Sequence, residues 1–267
     1  MACISSILNN YRRLRIGCFS EGVSQIFRDA FQELEKLAIQ TSDECSITVL
    51  NAAPIKRIVP DIRRIRATYE YRLELGWALQ AINSKNPRYE LQSYTHYTRN
   101  KALADSDIEM IRSALDGRIA GSILFVGCGP FPISAIIMAR YFNVRIDCID
   151  SNREACQFAV KVAQKVGMIE CLNISCCDVI QKRDLAKYDV IVIAALVGIS
   201  MPLKSSIIRH VLAQMKSGSG LLARTATGLR RLFYAEIRER QLSRFVVCHN
   251  ASTENDVLAS SLIAWKQ

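Results

Sequence analysis

The sequence predicts an α/β fold with two parts, a helical N-terminal domain and a C-terminal domain of alternating strands and helices. Residues 1–117 carry apolar side chains at helical spacing, as in Ile62, Ile65 and Tyr69. In residues 118–267, short runs rich in Ile and Val alternate with amphipathic segments, which is typical of βαβ units. We therefore expect a domain boundary between residues 117 and 118.

The helical part is expected to be a bundle or cap of several helices. Phe27, Phe31 and Leu34 recur at helical spacing. Pro54 and Pro60 are expected to interrupt the helices. A loop near residues 84–87 should precede a third helical region that ends near residue 115.

Seven apolar runs of the C-terminal part are expected to form one sheet. The first five should be parallel strands, because amphipathic segments separate them. The last two should form an antiparallel hairpin at the sheet edge, with the loop at residues 251–256. The runs are ILFVG (123–127), VRIDCID (144–150), LNISCCD (172–178), YDVIVIAAL (188–196), GSGLLART (218–225), RFVVCHN (244–250) and VLASSLIAW (257–265).

Composition narrows the class of protein. Half of the 267 residues are apolar, so a sizeable core can form. The ten cysteines are scattered and the N-terminal residues lack a basic start before an apolar core, so we expect reduced thiols and a cytoplasmic location. Glycines and prolines interrupt the longest apolar stretch, residues 123–139, so no membrane-spanning helix or membrane partner is expected.

The net charge of +10 raises the question of a polyanionic partner. Residues 1–117 carry a net charge of +2 and residues 118–267 a net charge of +8. In the arginine-rich stretch 224–244 the aromatic residues, Phe233 and Tyr234, are adjacent and do not alternate with the arginines as in segments that stack on bases. A solvated basic face is therefore favoured, and no nucleic-acid partner is expected.

A glycine-containing turn follows the first expected strand, in the run VGCGPFP at Val126–Pro132. Glycines allow a tight turn there and the close approach of a ligand to the backbone. A dinucleotide-binding turn would normally have a third glycine where Pro132 stands, so a pyrophosphate cofactor is not favoured. Pro132 instead suits the first turn of the next helix.

Two aspartates follow the next two expected strands. Asp150 lies about twenty residues after the glycines, where a carboxylate can accept hydrogen bonds from both ribose hydroxyls. Asp178 is expected to bind the adenine amino group. Together with the edge hairpin, these positions favour a Rossmann-like domain that binds S-adenosylmethionine, which has an adenosyl group but no pyrophosphate.

Two further motifs carry a resemblance to a known family. They are AALVG at Ala194–Gly198, and RTATGLR at Arg224–Arg230, which leads to Phe233 and Tyr234. With the VGCGPFP turn they resemble the nicotianamine synthases, including the bacterial nicotianamine synthase-like enzymes of opine-metallophore pathways. The resemblance covers the whole C-terminal part and, more faintly, the helical part.

The resemblance implies an enzyme that uses S-adenosylmethionine as co-substrate and transfers its aminobutyrate (3-amino-3-carboxypropyl) arm to an amine. Methylthioadenosine would be released. Because the chain is short, as in the microbial members, we expect a single transfer to an amino acid, preferably histidine, in biosynthesis of a metallophore. A homodimer is plausible by the same resemblance.

The resemblance also implies roles for particular residues. Glu70 and Glu74 match paired glutamates of the family, and their spacing of four places both on one helical face. Burial of such a pair should raise the pKa of one member. Expected catalytic residues are Glu74, Glu70 and Tyr97; cofactor-binding residues are Gly127, Cys128, Gly129, Pro130, Asp150, Ser151, Asp178, Val179, Ala195 and Leu196; substrate-binding residues are Tyr94, His96, Arg224, Arg230 and Tyr234.

Other functions stay open on the sequence. A conventional methyltransferase, a condensation of several S-adenosylmethionine molecules and a non-catalytic binding module all fit a Rossmann-like domain. Thr227 and Ala235 depart from the family pattern, which leaves the acceptor and its stereochemistry undetermined. No metal site is expected, because Cys171, Cys176 and Cys177 lack the spacing of closed zinc sites.

Overall fold

A seven-stranded sheet forms the middle of the C-terminal part. The computed structural model describes residues 2–17, 24–115, 120–238, 242, 246–251 and 258–266. The strands are β1 (Ile123–Val126), β2 (Ile146–Asp150), β3 (Leu172–Cys176), β4 (Val190–Ile193), β5 (Gly220–Thr225), β6 (Val246–Ala251) and β7 (Ser260–Trp265). Their order in the sheet is β3-β2-β1-β4-β5-β7-β6.

The strand directions confirm the predicted α/β architecture. β1 to β5 are parallel, β7 is antiparallel to β5, and β6 is antiparallel to β7. The edge hairpin is therefore present, although most of its loop lies outside the described residues. Both β2 and β4 pair with β1, so the strand order reverses there and opens a crevice beyond the carboxyl ends of these strands.

Nine α-helices accompany the sheet in the described chain. Six helices precede the sheet and three lie between its strands. They are α1 (Ala2–Gly17), α2 (Gln25–Gln40), α3 (Asp43–Asn51), α4 (Ala53–Asn83), α5 (Pro87–Ser93), α6 (Tyr97–Leu115), α7 (Ile133–Phe142), α8 (Arg153–Lys165) and α9 (Met201–Gln214).

Pro54, Pro60 and Pro132 occupy different positions relative to the helices. Pro54 lies in the first turn of α4, where a missing N–H costs nothing. Pro60 lies inside α4, so the prediction that it interrupts a helix is wrong. The lost hydrogen bond is tolerated because α4 is held by packing on both sides of it, with Ile55 and Ile62 fully buried. Pro132 immediately precedes α7 as its N-cap, one residue earlier than expected.

The two halves of the chain share apolar cores. One cluster joins Ile108 and Ile111 of α6 to Ile136 of α7 and to the sheet. A second joins Phe31 of α2 to Phe233, which follows β5. The helical part therefore packs both against the sheet and against the segment that follows β5. The boundary predicted between residues 117 and 118 lies outside the described residues and stays a prediction.

Three further features bear on the class of protein. In the described part of the chain, no helix is both long and apolar enough to cross a membrane. The eight cysteines whose side chains the structure describes are free thiols. Among the same described residues, no group of three or more His, Cys, Asp or Glu side chains is arranged to hold a metal ion.

Candidate functional site

A cavity of about 590 Å³ lies at the carboxyl ends of β1, β2 and β4. Its other walls come from α4 and α6, so both halves of the chain contribute. The volume is in the range of small-molecule sites. The described lining includes all ten predicted cofactor-binding residues, as well as Glu70, Glu74, His96, Arg224 and Tyr234.

The glycine turn after β1 lines the cavity. Gly127 and Gly129 have φ angles of 82° and 65°, a region that glycine adopts without strain. A Cβ on Gly127 would lie 2.3 Å from Cγ2 of Val197, and one on Gly129 would lie 2.5 Å from Oε2 of Glu74. The turn therefore needs glycine both for its conformation and for the side chains packed against it.

Gly127→Ala is expected to weaken S-adenosylmethionine binding by roughly 10-fold and to destabilise the protein by about 1–3 kcal/mol, the usual cost of overpacking. Calorimetric titration and thermal unfolding measure the two effects. Gly76→Ala is the matched control, because nothing lies within 4 Å of the added Cβ and alanine favours a helix. If Gly127→Ala and Gly76→Ala had equal affinity for S-adenosylmethionine and equal thermal stability, the turn would have no role in binding or stability.

Asp150 connects the turn to the end of β2. Its Oδ2 accepts a hydrogen bond from the N–H of Gly129 at 3.0 Å, and its Oδ1 accepts one from the N–H of Asn152 at 2.9 Å. A carboxylate oxygen can accept a second hydrogen bond, so Asp150 keeps acceptors for a ligand. Asp178 lines the same cavity, and its Oδ1 accepts from the N–H of Ile180 at 3.0 Å.

The loop after β4 is held by a buried lysine. The ammonium of Lys204, which is 1% exposed, donates to the carbonyl oxygens of Ala194, Ala195 and Val197 at 3.4, 3.1 and 2.8 Å. Burial, with the charge of Arg63, lowers the pKa of Lys204 to about 7. These contacts fix the loop that carries the cavity residues Ala195 and Leu196.

The pKa values of the two glutamates of α4, Glu70 and Glu74, are shifted in opposite directions. Burial raises the pKa of Glu74 well above its ordinary value, and the charges of Glu70 and Asp150 raise it further. Burial also opposes the charge of Glu70, but Arg66 and His96 outweigh it and lower the pKa of Glu70 to about 2. The raised pKa of Glu74 agrees with the expectation that burial of a carboxylate pair raises the pKa of one member.

Arg66 is the cation that holds Glu70 ionised. Its guanidinium lies 2.5 Å from Glu70 and 2.5 Å from Glu35, with a side chain that is only 3% exposed. Nδ1 of His96 lies 3.5 Å from Glu70 on the other side. The ring of Tyr234 lies 5.6 Å from the guanidinium carbon. These side chains form a charged network that joins α2, α4 and the residue before α6, and Arg66, Glu70 and His96 of this network line the cavity.

Three of the predicted residues do not line the cavity in the described structure: Tyr94, Tyr97 and Arg230. Tyr94 is 3% exposed and packs edge-on against Phe131. Burial raises the pKa of Tyr94, and the charge of Glu74 adds to this. Tyr97 packs against the core that joins α6 to the sheet.

Arg224 lines the cavity, but its Nε and Nη2 are already engaged. It contacts Asp107 at 2.8 Å through Nη2 and 2.9 Å through Nε, and Nη2 donates to Oγ of Ser134 at 3.0 Å. Ser261 donates to the other oxygen of Asp107, which is fully buried. Arg224 is thus part of a network that joins β5 to α6, α7 and β7.

Sequence reasoning missed four residues of the site and its supports: Arg66, Arg99, Asp107 and Lys204. Only Arg66 had a visible signal, since it precedes Glu70 by four residues, which places the two on one helical face. The partners of Asp107 and Lys204 come from distant segments or from a loop, so no local pattern marks them.

Comparisons with known proteins agree with this geometry. A family model described as "Nicotianamine synthase protein" matches residues 2–267. Probable nicotianamine synthase 3 of Hordeum vulgare is 27% identical over 215 residues, and the match covers 76% of this chain and 62% of that protein. Nicotianamine synthase 3 of Arabidopsis thaliana is 24% identical, with 94% and 86% covered. The match thus spans less than two thirds of the barley protein.

Solved structures share the whole fold. MtNAS in complex with MTA and tNA superposes with a TM-score of 0.85 at 20% identity, covering 98% of this chain and 97% of that chain. A mutant of MtNAS in complex with S-adenosylmethionine gives a TM-score of 0.81 with the same identity and coverage. At this identity the likeness establishes the fold alone.

Proposed function

Because this chain belongs to the nicotianamine synthase family, we propose that it transfers the 3-amino-3-carboxypropyl group of S-adenosylmethionine to the amine of an amino acid. One observation carries the proposal. The carboxylate of Glu74 faces the glycine turn at Gly129, so a proton acceptor from the helical half meets the turn at which Rossmann-like domains bind their cofactor.

The cavity fits S-adenosylmethionine as co-substrate. Asp150 offers free acceptor positions for ribose hydroxyls, and Asp178 offers them for the adenine amino group. The backbone of Gly127 and Gly129 allows close approach of a ligand. A structure of MtNAS, which shares the fold, contains S-adenosylmethionine, which supports the same choice of co-substrate here.

The chemistry requires a neutral amine. When bound, S-adenosylmethionine supplies a sulfonium whose γ-carbon accepts the amine nitrogen, while the carbon–sulfur electron pair leaves with methylthioadenosine. Glu74 takes one proton from the acceptor ammonium before or during attack. The raised pKa of Glu74 makes its ionised form a stronger base than an ordinary glutamate. Glu70 stays ionised beside it, so that an ammonium is attracted to the pair.

Histidine is the acceptor we propose, on the resemblance to bacterial enzymes that make one transfer. Condensation of several S-adenosylmethionine molecules is the second candidate, favoured by the plant relatives. Either product would carry several nitrogens and carboxylates, which bind transition metals, so we propose that it serves as a metallophore. Failure of the purified product to bind Ni²⁺ or Zn²⁺ in a titration would contradict that last step.

Mass spectrometry of the reaction mixture tests the proposed reaction. Incubation with S-adenosylmethionine and single amino acids, including both enantiomers of histidine, should yield methylthioadenosine and an aminobutyrate adduct of one acceptor. A nicotianamine-like product without added acceptor would select the condensation. S-adenosylhomocysteine as the spent cofactor would indicate a methyltransferase, and unchanged S-adenosylmethionine a binding module.

The cellular location, the partners and the oligomeric state stay predictions. We expect a cytoplasmic protein that acts on small molecules and binds neither nucleic acid nor membrane. A homodimer is expected on family grounds, and sedimentation analysis of the purified protein tests it directly.

A further inference from the structure

Four basic side chains line the described cavity. They are Arg66, His96, Arg99 and Arg224. An acceptor amino acid brings a carboxylate as well as an amine into this space, and a buried carboxylate needs a cation or several hydrogen-bond donors. The arginine whose charge is not committed to a buried carboxylate of the protein is therefore the one that can bind it.

Two of the arginines are committed to protein carboxylates. The side chain of Arg66 is 3% exposed and lies 2.5 Å from both Glu35 and Glu70. The side chain of Arg224 is 7% exposed and lies 2.8 Å from Asp107. Recruiting either to a substrate would leave a buried carboxylate without its partner, which is strongly destabilising.

Arg99 differs from them in exposure and in contacts. It comes from the first turns of α6, and its side chain is 27% exposed. Its two hydrogen bonds to Glu35 are both 3.5 Å long, whereas charge-assisted bonds are usually about 2.7–2.9 Å. Glu35 is also shared with the closer Arg66. The guanidinium of Arg99 therefore keeps most of its five N–H donors available.

Arg99 is also connected to Glu70 through two intervening side chains. It lies 3.5 Å from Glu35, Glu35 lies 2.5 Å from Arg66, and Arg66 lies 2.5 Å from Glu70. The positive charge of Arg99 lowers the pKa of Glu70, so the two groups lie within electrostatic reach. An α-amino acid carries its amine and its carboxylate on one carbon. A site that brings the amine to Glu74 must therefore present a cation to the same cavity, and Arg99 lines that cavity together with Glu70 and Glu74.

Resting on the proposed function, we propose that Arg99 binds the α-carboxylate of the acceptor and so selects α-amino acids over amines that lack a carboxylate. Contact at both ends of the zwitterion fixes the nitrogen in one orientation, which favours in-line attack. The same chemistry could be used by the carboxylate of the cofactor's own aminobutyrate arm. Experiments must therefore separate the two carboxylates.

Equilibrium binding separates them without turnover. S-adenosylhomocysteine carries the aminobutyrate arm but has no sulfonium, so protein saturated with it has a filled cofactor site and cannot react. Calorimetric titration of this complex with D- and L-histidine, other amino acids and histamine compares ligands with and without the carboxylate. The affinity for S-adenosylhomocysteine itself is measured separately in each variant.

Arg99→Gln should weaken amino acid binding about 10- to 150-fold, the range for losing a hydrogen-bonded charge. Histamine binding and S-adenosylhomocysteine affinity should change less than about 3-fold. Arg99→Lys should restore part of the loss, because the charge remains but the planar fork does not. Arg112→Gln is the matched control, since Arg112 lies on the same helix, is 55% exposed and pairs with Glu109.

Three outcomes would overturn the inference. They are unchanged amino acid affinity in Arg99→Gln, a loss confined to S-adenosylhomocysteine, and failure of every amino acid to bind the wild-type complex. Arg99-dependent binding of an amino acid without formation of methylthioadenosine would leave the inference standing and reject the proposed reaction. The two claims can therefore fail separately.

Discussion

Glu74→Gln should lower the rate of group transfer about 10²- to 10⁴-fold, the usual contribution of a positioned proton acceptor. The glutamine keeps the shape of the side chain but cannot take the ammonium proton. S-adenosylmethionine affinity should stay within a few-fold of the wild type, because Asp150, Asp178 and the glycine turn are unchanged. Single-turnover kinetics and calorimetry measure the two quantities.

The pH profile gives a second readout of Glu74. The carboxylate must be ionised to accept a proton, so kcat/KM of the wild type should rise with pH as Glu74 loses its own proton. Because burial, Glu70 and Asp150 raise the pKa of Glu74, this rise should lie at higher pH than an ordinary glutamate would give. The residual activity of Glu74→Gln should not show this rise of kcat/KM with pH.

Glu109→Gln is the control for the substitution itself. Glu109 lies on α6 with a side chain that is 63% exposed and pairs with Arg112, so its loss should leave the rate unchanged. If Glu74→Gln retained the wild-type rate, Glu74 would not be the proton acceptor. If it lost S-adenosylmethionine binding in the same proportion as rate, its role would be in binding.

Asp107→Ala should lower the free energy of unfolding by about 3–5 kcal/mol, because it leaves the charge of Arg224 buried without its partner. For a chain of this size the melting temperature should fall by roughly 6–20 °C. The effect should be large because Asp107 is fully buried and is bonded to both Arg224 and Ser261. Differential scanning calorimetry and urea unfolding followed by circular dichroism measure it.

Asp105→Ala is the matched control on the same helix. Its carboxylate pairs with Lys101 at 2.6 Å, but both side chains are about half exposed, so the expected loss is about 0.2–1 kcal/mol. The double variant Asp107→Leu with Arg224→Met removes both buried charges and should recover much of the stability. Equal losses in Asp105→Ala and Asp107→Ala would reject the buried ion pair as a major source of stability.

Much of the fold could be predicted from local patterns. The central parallel strands β1, β4 and β5 are buried along their whole length, which is why they appear in the sequence as near-continuous apolar runs. The edge hairpin followed from two further apolar runs near the chain end. The turn at Gly127 and the position of Asp150 could also be predicted, because each lies at the end of a predicted strand. Strand ends in an α/β sheet meet at one edge, so neighbouring motifs converge there.

Pro60 shows where a local rule gave the wrong result. A proline inside a helical pattern usually ends the helix, yet α4 runs from Ala53 to Asn83. The fully buried neighbours Ile55 and Ile62 hold the helix together. Tertiary packing therefore outweighed the loss of one hydrogen bond, which the sequence around the proline did not reveal.

The sequence by itself determined the family, the sheet, the cofactor turn and the pairing of Glu70 with Glu74. Only the tertiary structure shows that the pKa of Glu74 is raised while that of Glu70 is lowered, and that Arg99 is more exposed and more loosely paired than Arg66 and Arg224. Protonation and availability depend on burial and on charges within a few ångströms, and these neighbours come from distant segments. Asp107 engages Arg224, Glu35 engages Arg66, and Arg99 is left facing the cavity.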